Sequence, residues 1–329
     1  MIYISSPWTD PAFNLALEQY VFDRLPKDNE YFMLWQNDNT IVIGKNQNTW
    51  AEINNRYVDE HGIKVVRRLS GGGAVYHDLG NVNFTFITDA GDASSLDLGK
   101  YCEAMAAAIR RLGADARAVG RNDITIDGKK VSGNSQYIKD GRVMHHGTLL
   151  FASDLSKLGD ALVTKDKYKS AAKVDSVYSR VTNIRNYLPK DITLDEFKDE
   201  LVKSVFGGRE AEAYEFSEND LDEIKEIKKE RYDTWEWNYG SSPDFEVIRE
   251  RRVPKCGKVS VGMDIQKGRI SDIAFSGDFF GLKDHRALAE RLKGCLLIRP
   301  MLEERIENID VGEYFAGLTN KDLIDIMIL

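Results

Sequence analysis

Phe13, Ala16, Leu17, Tyr20 and Val21 recur at helical spacing behind Thr9, Asp10 and Pro11, which can cap and open a helix. The chain is therefore predicted to begin with a short strand, Ile2 to Ile4, and an amphipathic helix packed on a sheet. Tyr31 to Trp35 and Thr40 to Ile43 carry the aromatic and β-branched residues of strands, and Asn37-Asp38-Asn39 between them predicts an antiparallel hairpin. A helix is expected over Trp50 to Glu60. From Lys64 to Thr88 the pattern reads strand, glycine turn, strand, Gly80-Asn81 turn, strand.

Leu98 to Leu112 has helical periodicity, and Asp123 to Ile126, Lys130 to Ile138 and Arg142 to Phe151 alternate as strands around Asp127-Gly128 and Asp140-Gly141 turns. Helices are expected near Asp154 to Leu162, at Leu194 to Val205 and at Glu218 to Tyr232, with a polar, lysine-rich loop or solvated face at Thr164 to Asp175. After Gly240-Ser241-Ser242-Pro243 the pattern restarts with strands at Phe245 to Arg251, Lys258 to Gln266 and Arg269 to Ser276, then helices from Asp284. Strands without a regular βαβ alternation predict an α+β fold, a mixed and largely antiparallel sheet flanked by helices, rather than a Rossmann arrangement. The boundary expected near Pro243 divides the chain into a catalytic domain, 1–243, and a small α+β C-terminal domain, 244–329.

Composition narrows the function classes. With 42% hydrophobic and 30% charged residues the 329-residue chain is expected to fold as an ordinary globular protein of one large and one smaller domain. The N-terminus lacks the features of a signal peptide and no apolar run approaches a membrane span, so a cytoplasmic protein without a membrane partner is expected. Cys102, Cys256 and Cys295 are an odd number in no metal-like spacing, which fits a reducing compartment and argues against structural zinc. A net charge of −8 argues against nucleic acid as a partner, so any anionic ligand must be held by a local basic cluster.

The candidate cluster is Arg67-Arg68-Leu69-Ser70-Gly71-Gly72-Gly73-Ala74-Val75-Tyr76-His77-Asp78. Glycines let a ligand approach backbone N–H groups, and a neighbouring arginine can pair with phosphate or carboxylate oxygens. Neither of the two common nucleotide fingerprints is present. A bare glycine hairpin without a ligand is the plain alternative, and adjacent arginines on a strand point to opposite faces, so only one can meet a ligand directly. Lys129-Lys130-Val131-Ser132-Gly133 opens a strand after a turn; one lysine faces a sheet face or cleft and can act as a fixed positive charge, where two solvated turn lysines would be the plain reading. His145 and His146 point to opposite faces of a strand and lack the carboxylates of a metal set. Cys102 falls in a helical stripe as a core residue.

The segments RRLSGGGAVYHDLGNVNFTF (67–86), GRNDITIDGKKVSGNSQ (120–136) and HHGTLLF (145–151), in this order and spacing, resemble those of the A-type lipoate-protein ligases. FNLALEQ (13–19), IVIGKNQN (41–48), AAKVDSVYSRVTN (171–183) and WEWNYG (235–240) extend the resemblance, and the part from Phe245 resembles the C-terminal domain of the bacterial two-domain enzymes. The resemblance implies a biotin/lipoate ligase-like fold and an ATP-dependent enzyme that makes an acyl-adenylate of lipoate, with Mg2+ offsetting pyrophosphate charge. The implied enzyme would pass the acyl group to a lysine of a lipoyl carrier, the lipoyl domain of a 2-oxoacid dehydrogenase E2 subunit or the glycine cleavage H protein. It also implies that Arg68 and the Gly71, Gly72, Gly73, Ala74, Val75 and Tyr76 segment bind ATP or the adenylate, that Lys130 contacts the acyl carbonyl and phosphate, and that Asp123 orients the acceptor lysine. His146 would line the cleft, a 164–180 loop with Lys173 and Arg180 would close over the adenylate, and the lipoyl tail would lie near Trp35, Val42 and the first helix. Two rivals stand beside this: an acyl transferase of the same fold working through a cysteine thioester, and a non-catalytic binder of lipoyl carriers.

Overall fold

The computed structural model describes residues 1–45, 47, 49–90, 98–120, 122–162, 180–240, 245–277, 279 and 283–328. The chain divides into two compact units, Met1–Gln47 with Gly62–Thr234, and Asn48–His61 with Trp235–Leu329. The boundary expected near Pro243 lies outside the described residues, and the second unit groups the 48–61 segment with the chain from Trp235 onward.

In the first unit, β1 (Ile2–Ser5) pairs in parallel with β2 (Tyr31–Trp35), and β2 pairs antiparallel with β6 (Asn81–Asp89). β10 (Arg142–Leu150), β9 (Lys129–Lys139), β8 (Asp123–Ile126) and β7 (Ala116–Val119) complete a seven-stranded sheet in the order β1-β2-β6-β10-β9-β8-β7. β7 was not expected from the sequence; its Arg117, Ala118 and Val119 are exposed at the sheet edge, so it lacks the alternation that marks a strand.

The hairpin expected between β2 and β3 (Thr40–Ile43) does not form. β3 lies in a separate three-stranded sheet, between β4 (Lys64–Arg67) and β5 (Val75–His77). The linking residues are tied elsewhere: the amide of Asn14 donates to Gln36 O at 2.8 Å and to Asn37 Oδ1 at 3.0 Å, and Asp38 N donates to Thr9 O at 3.1 Å. Asn37 is fully buried, so it is a structural hub and not a solvated turn residue.

Helix α1 (Pro11–Arg24) starts where expected, with Asp10 accepting from Ala12 N at 3.4 Å. It is buried on almost every side rather than amphipathic, because the helical segments Glu218–Ile227 and Lys228–Tyr232 pack on it as well as β4 and β6. The opposite face of the large sheet carries the main core. Phe32, Leu34, Phe84, Phe86, Val143 and Leu149 pack there with Tyr101, Cys102 and Met105 of α4 (Gly99–Arg111).

The second unit contains α2 (Thr49–Glu52) and α3 (Asn55–Glu60), two short helices where one was expected. Asn54 breaks the run by capping α3 through Tyr57 N. Its sheet is an antiparallel β11 (Phe245–Val253), β12 (Gly257–Gln266), β13 (Arg269–Gly277), whose Val259, Val261 and Ile265 share a core with Trp50. Among the described residues no helix is long and apolar enough to cross a membrane.

Candidate functional site

The two faces of the large sheet differ in kind. On β6, Val82, Phe84 and Phe86 face α4, while Asn83 and Thr85 between them face the other way, and both are buried. Register places Thr85 opposite His146, and His146 opposite Ser135. Polar residues in series on a buried face need partners, and such a face marks a site rather than a core.

That face borders a cavity of about 140 Å³. Arg68, Gly72, Gly73, Ala74, Val75, Lys130 and His146, all expected site residues, line it together. Leu15, Trp35 and Val42 add an apolar wall, and His77, Asn83, Asn122, Asn134, Ser135 and Thr148 add polar atoms. Of these, Trp35 and Val42 were anticipated; the others were not assigned from sequence.

The two arginines divide the work as their alternation requires. Arg67, fully buried, donates from Nη1 to the carbonyls of Gly44, Lys45 and Gln47 at 2.7–3.0 Å and so holds that loop. Arg68 donates to Val42 O at 3.1 Å, Gly71 O at 2.6 Å, Gly73 O at 2.8 Å and Ser70 Oγ at 3.1 Å. Its guanidinium therefore shapes the glycine cradle as well as charging it. Burial pulls both guanidinium pKa values down to about 10, with the Glu18 carboxylate partly opposing the shift at Arg68.

The cradle needs glycine at two places. Gly72 has φ +90, a backbone conformation open to glycine. A methyl group on Gly44 would stand 2.1 Å from Gly72 O, so the β3 end and the cradle touch backbone to backbone.

Lys130 Nζ lies 2.7 Å from Asp123 Oδ1, with both side chains more than a third exposed. Its backbone is fixed from outside the sheet: Lys130 N donates to Arg180 O at 2.7 Å and Thr182 N donates to Lys130 O at 2.9 Å. Arg180 contributes this carbonyl and is itself exposed; Lys173 lies outside the described residues. Gly71 contributes a carbonyl that accepts from Ser135 Oγ at 2.9 Å, and the Tyr76 hydroxyl donates to Asn39 Oδ1 at 3.0 Å, so both support the cradle from behind.

A buried chain of hydrogen bonds underlies the site. Trp35 Nε1 donates to Thr85 Oγ1 at 2.9 Å, Thr85 Oγ1 donates to Glu18 Oε1 at 2.7 Å, and Glu18 meets His146 Nδ1 at 2.9 Å. His146 Nε2 meets Ser70 Oγ at 2.5 Å. The sequence Glu18, His146, Ser70 has the connectivity of a hydrolytic triad, but Ser70 is 1% exposed, is held by Arg68 and does not line the cavity. The chain positions Arg68 and the cradle instead. His145, on the opposite face as expected, stacks against Tyr101 and Phe84, and burial pushes its pKa down to about 3.

Residues 10–206 match the model of the lipoyl protein ligase A/B catalytic domain, and residues 242–327 match that of the bacterial lipoate protein ligase C-terminus. The lipoate-protein ligase LplJ of Bacillus subtilis is 41% identical over 322 residues, covering 97% of each chain. This chain belongs to the lipoate-protein ligase family. Solved structures of the family share its fold. A bipartite lipoate protein ligase with its E2 lipoyl domain from Thermoplasma acidophilum matches with TM-score 0.65 and 25% identity, over 75% of this chain and 98% of that one. A lipoate-protein ligase A bound with ATP matches with TM-score 0.61 and 25% identity, over 73% and 98%. The thioester rival within this fold lacks its nucleophile: Cys102, Cys256 and Cys295 are all buried and none lines the cavity of this lipoate-protein ligase family member.

Proposed function

We propose that the cavity activates lipoate with ATP as lipoyl-AMP and delivers the lipoyl group to a lysine of a lipoyl domain, on a 2-oxoacid dehydrogenase E2 subunit or the glycine cleavage H protein. The observation that carries this reading is Lys130, paired with Asp123 and lining one cavity with the Arg68–glycine cradle and the apolar Leu15, Trp35 and Val42. One ligand with an anionic head, a carbonyl and an apolar tail matches that lining. The family relative bound with ATP and the relative described with its E2 lipoyl domain support the nucleotide and the class of acceptor.

The chemistry follows from where charge develops. A carboxylate has no usable leaving group, so its oxygen attacks the α-phosphate of ATP, releasing pyrophosphate and leaving AMP on the acyl carbon. Lys130 Nζ leaves Asp123 to stabilise the α-phosphate and then the oxyanion formed at the acyl carbonyl. N–H groups of Gly72, Gly73 and Ala74 meet phosphate oxygens, and Arg68 keeps those groups aligned. In the second step the acceptor amine attacks the carbonyl, its proton passes to Asp123, and AMP leaves. Mg2+ would accompany the ATP phosphates and offset the charge of the departing pyrophosphate. Lipoate-dependent exchange of labelled pyrophosphate into ATP tests the first step: it is expected with this protein, and its absence would refute adenylate formation.

A further inference from the structure

His77 lines the cavity at 3% exposure, and its Nε2 has no hydrogen-bond partner among the described residues. Its tautomer is set by two asparagines. Asn37 Oδ1 accepts from Asn14 at 3.0 Å and Asn83 Oδ1 accepts from Asn81 at 2.9 Å, which turns both amide nitrogens toward His77 Nδ1, at 3.2 and 3.5 Å. Nδ1 therefore accepts and the proton sits on Nε2. Burial, then the nearby Arg68 and His146, lower the pKa of the ring to about 3, so it is neutral at ordinary pH. A buried N–H donor without an acceptor is costly to keep in a folded protein.

The place of this donor along the cavity follows from strand order. His77 stands beside Trp35, ring centroids 6.3 Å apart, and beside Asn83, which is opposite Trp35 in register. Lys130 is on β9, reached from β2 through β6 and β10. Three strand spacings put the Trp35 and Lys130 sides of the cavity about 14 Å apart. A ligand whose carbonyl lies at Lys130 therefore presents the far end of its tail to Trp35 and His77.

We propose that His77 is a specificity-determining residue for the acyl tail: its Nε2–H donates to a sulfur of the dithiolane ring, favouring lipoate over octanoate, whose chain ends in hydrocarbon alone. Sulfur is a weak acceptor and packs well on an aromatic ring edge, so Trp35 beside His77 suits the same group. The inference rests on the proposed adenylation of lipoate.

The test is adenylate formation from lipoate and from octanoate in wild type, His77→Leu and His77→Gln, with kcat/KM for both substrates taken on one preparation so that the fraction folded cancels in the ratio. Wild type is expected to prefer lipoate. His77→Leu lowers the lipoate-to-octanoate ratio about fivefold, the effect of one modest hydrogen bond, and His77→Gln, which retains an N–H donor, keeps it within about twofold of wild type. An unchanged ratio in His77→Leu, or a wild type that prefers octanoate, overturns the role of His77. A wild type that activates neither acid refutes the underlying adenylation instead.

Discussion

Lys130 Nζ and Asp123 Oδ1 lie 2.7 Å apart because β8 and β9 slip register between them, Ile124 pairing with Ser132 and Thr125 with Lys130. The extra residue, Val131, is buried in the core as a bulge. Gly133 keeps the space open, since a methyl group there would stand 3.0 Å from Lys130 Nζ. A half-exposed ion pair of this sort holds the ammonium in place yet is weak enough for a ligand anion to break.

Asp123 and Lys130 should therefore separate by step. Asp123→Asn is expected to slow transfer to the carrier about tenfold or more while reducing adenylate formation less, because the proton it takes belongs to the second step. Single-turnover quench experiments that follow lipoyl-AMP and lipoylated carrier in one reaction check this. Equal loss in both steps would remove Asp123 from the transfer chemistry.

Gly44→Ala is expected to push the β3 end off the cradle at Gly72 O and to destabilise the fold by about 1–3 kcal/mol, as overpacking does. The KM for ATP should rise with it. Urea denaturation and steady-state kinetics on the same variant check both effects.

Glu18 is 2% exposed and serves Thr85 and His146 together. Glu18→Ala strands two buried polar groups and is expected to cost about 2–4 kcal/mol, while Glu18→Gln, which keeps an acceptor oxygen, costs less than half of that. Chemical denaturation midpoints distinguish the two.

His77 and His145 are each held neutral, their pKa values lowered by burial to about 3. The unfolded chain then binds more protons than the folded one between about pH 6.5 and pH 3, so the stability they contribute is present above pH 6.5 and lost as pH falls. Each histidine accounts for about 2 kcal/mol of loss between pH 7 and pH 5. His145→Gln should therefore lose about 2 kcal/mol less than wild type over that interval, measured by urea unfolding at the two pH values.

Much of this was legible in the sequence, and the parts that were not have a common cause. The Arg68–glycine segment, Lys130 and Asp123 stand in contiguous motifs, and strand alternation alone separated Arg67 from Arg68 and His145 from His146. Leu15, Glu18, His77 and Asn83 escaped because each sits in an ordinary helical or strand pattern, and only pairing across the two sheets and α1 brings Leu15, His77 and Asn83 to one cavity and Glu18 to the hydrogen bonds beneath it. The signal available was a polar residue at a core-facing period, as with Asn83 and Thr85 between Phe84 and its neighbours. The hairpin between β2 and β3 was misjudged because Asn37 has the composition of a turn and the hydrogen bonding of a core residue.

The most direct test of the account is intact-mass measurement of a purified lipoyl domain incubated with lipoate, ATP, Mg2+ and either wild-type protein or Lys130→Ala. Wild type is expected to add one lipoyl group to the carrier, and Lys130→Ala to do so about 10²–10³ times more slowly, as for loss of one group aimed at the transition-state charge. Carrier modification at equal rates by both proteins, or by neither, would contradict it.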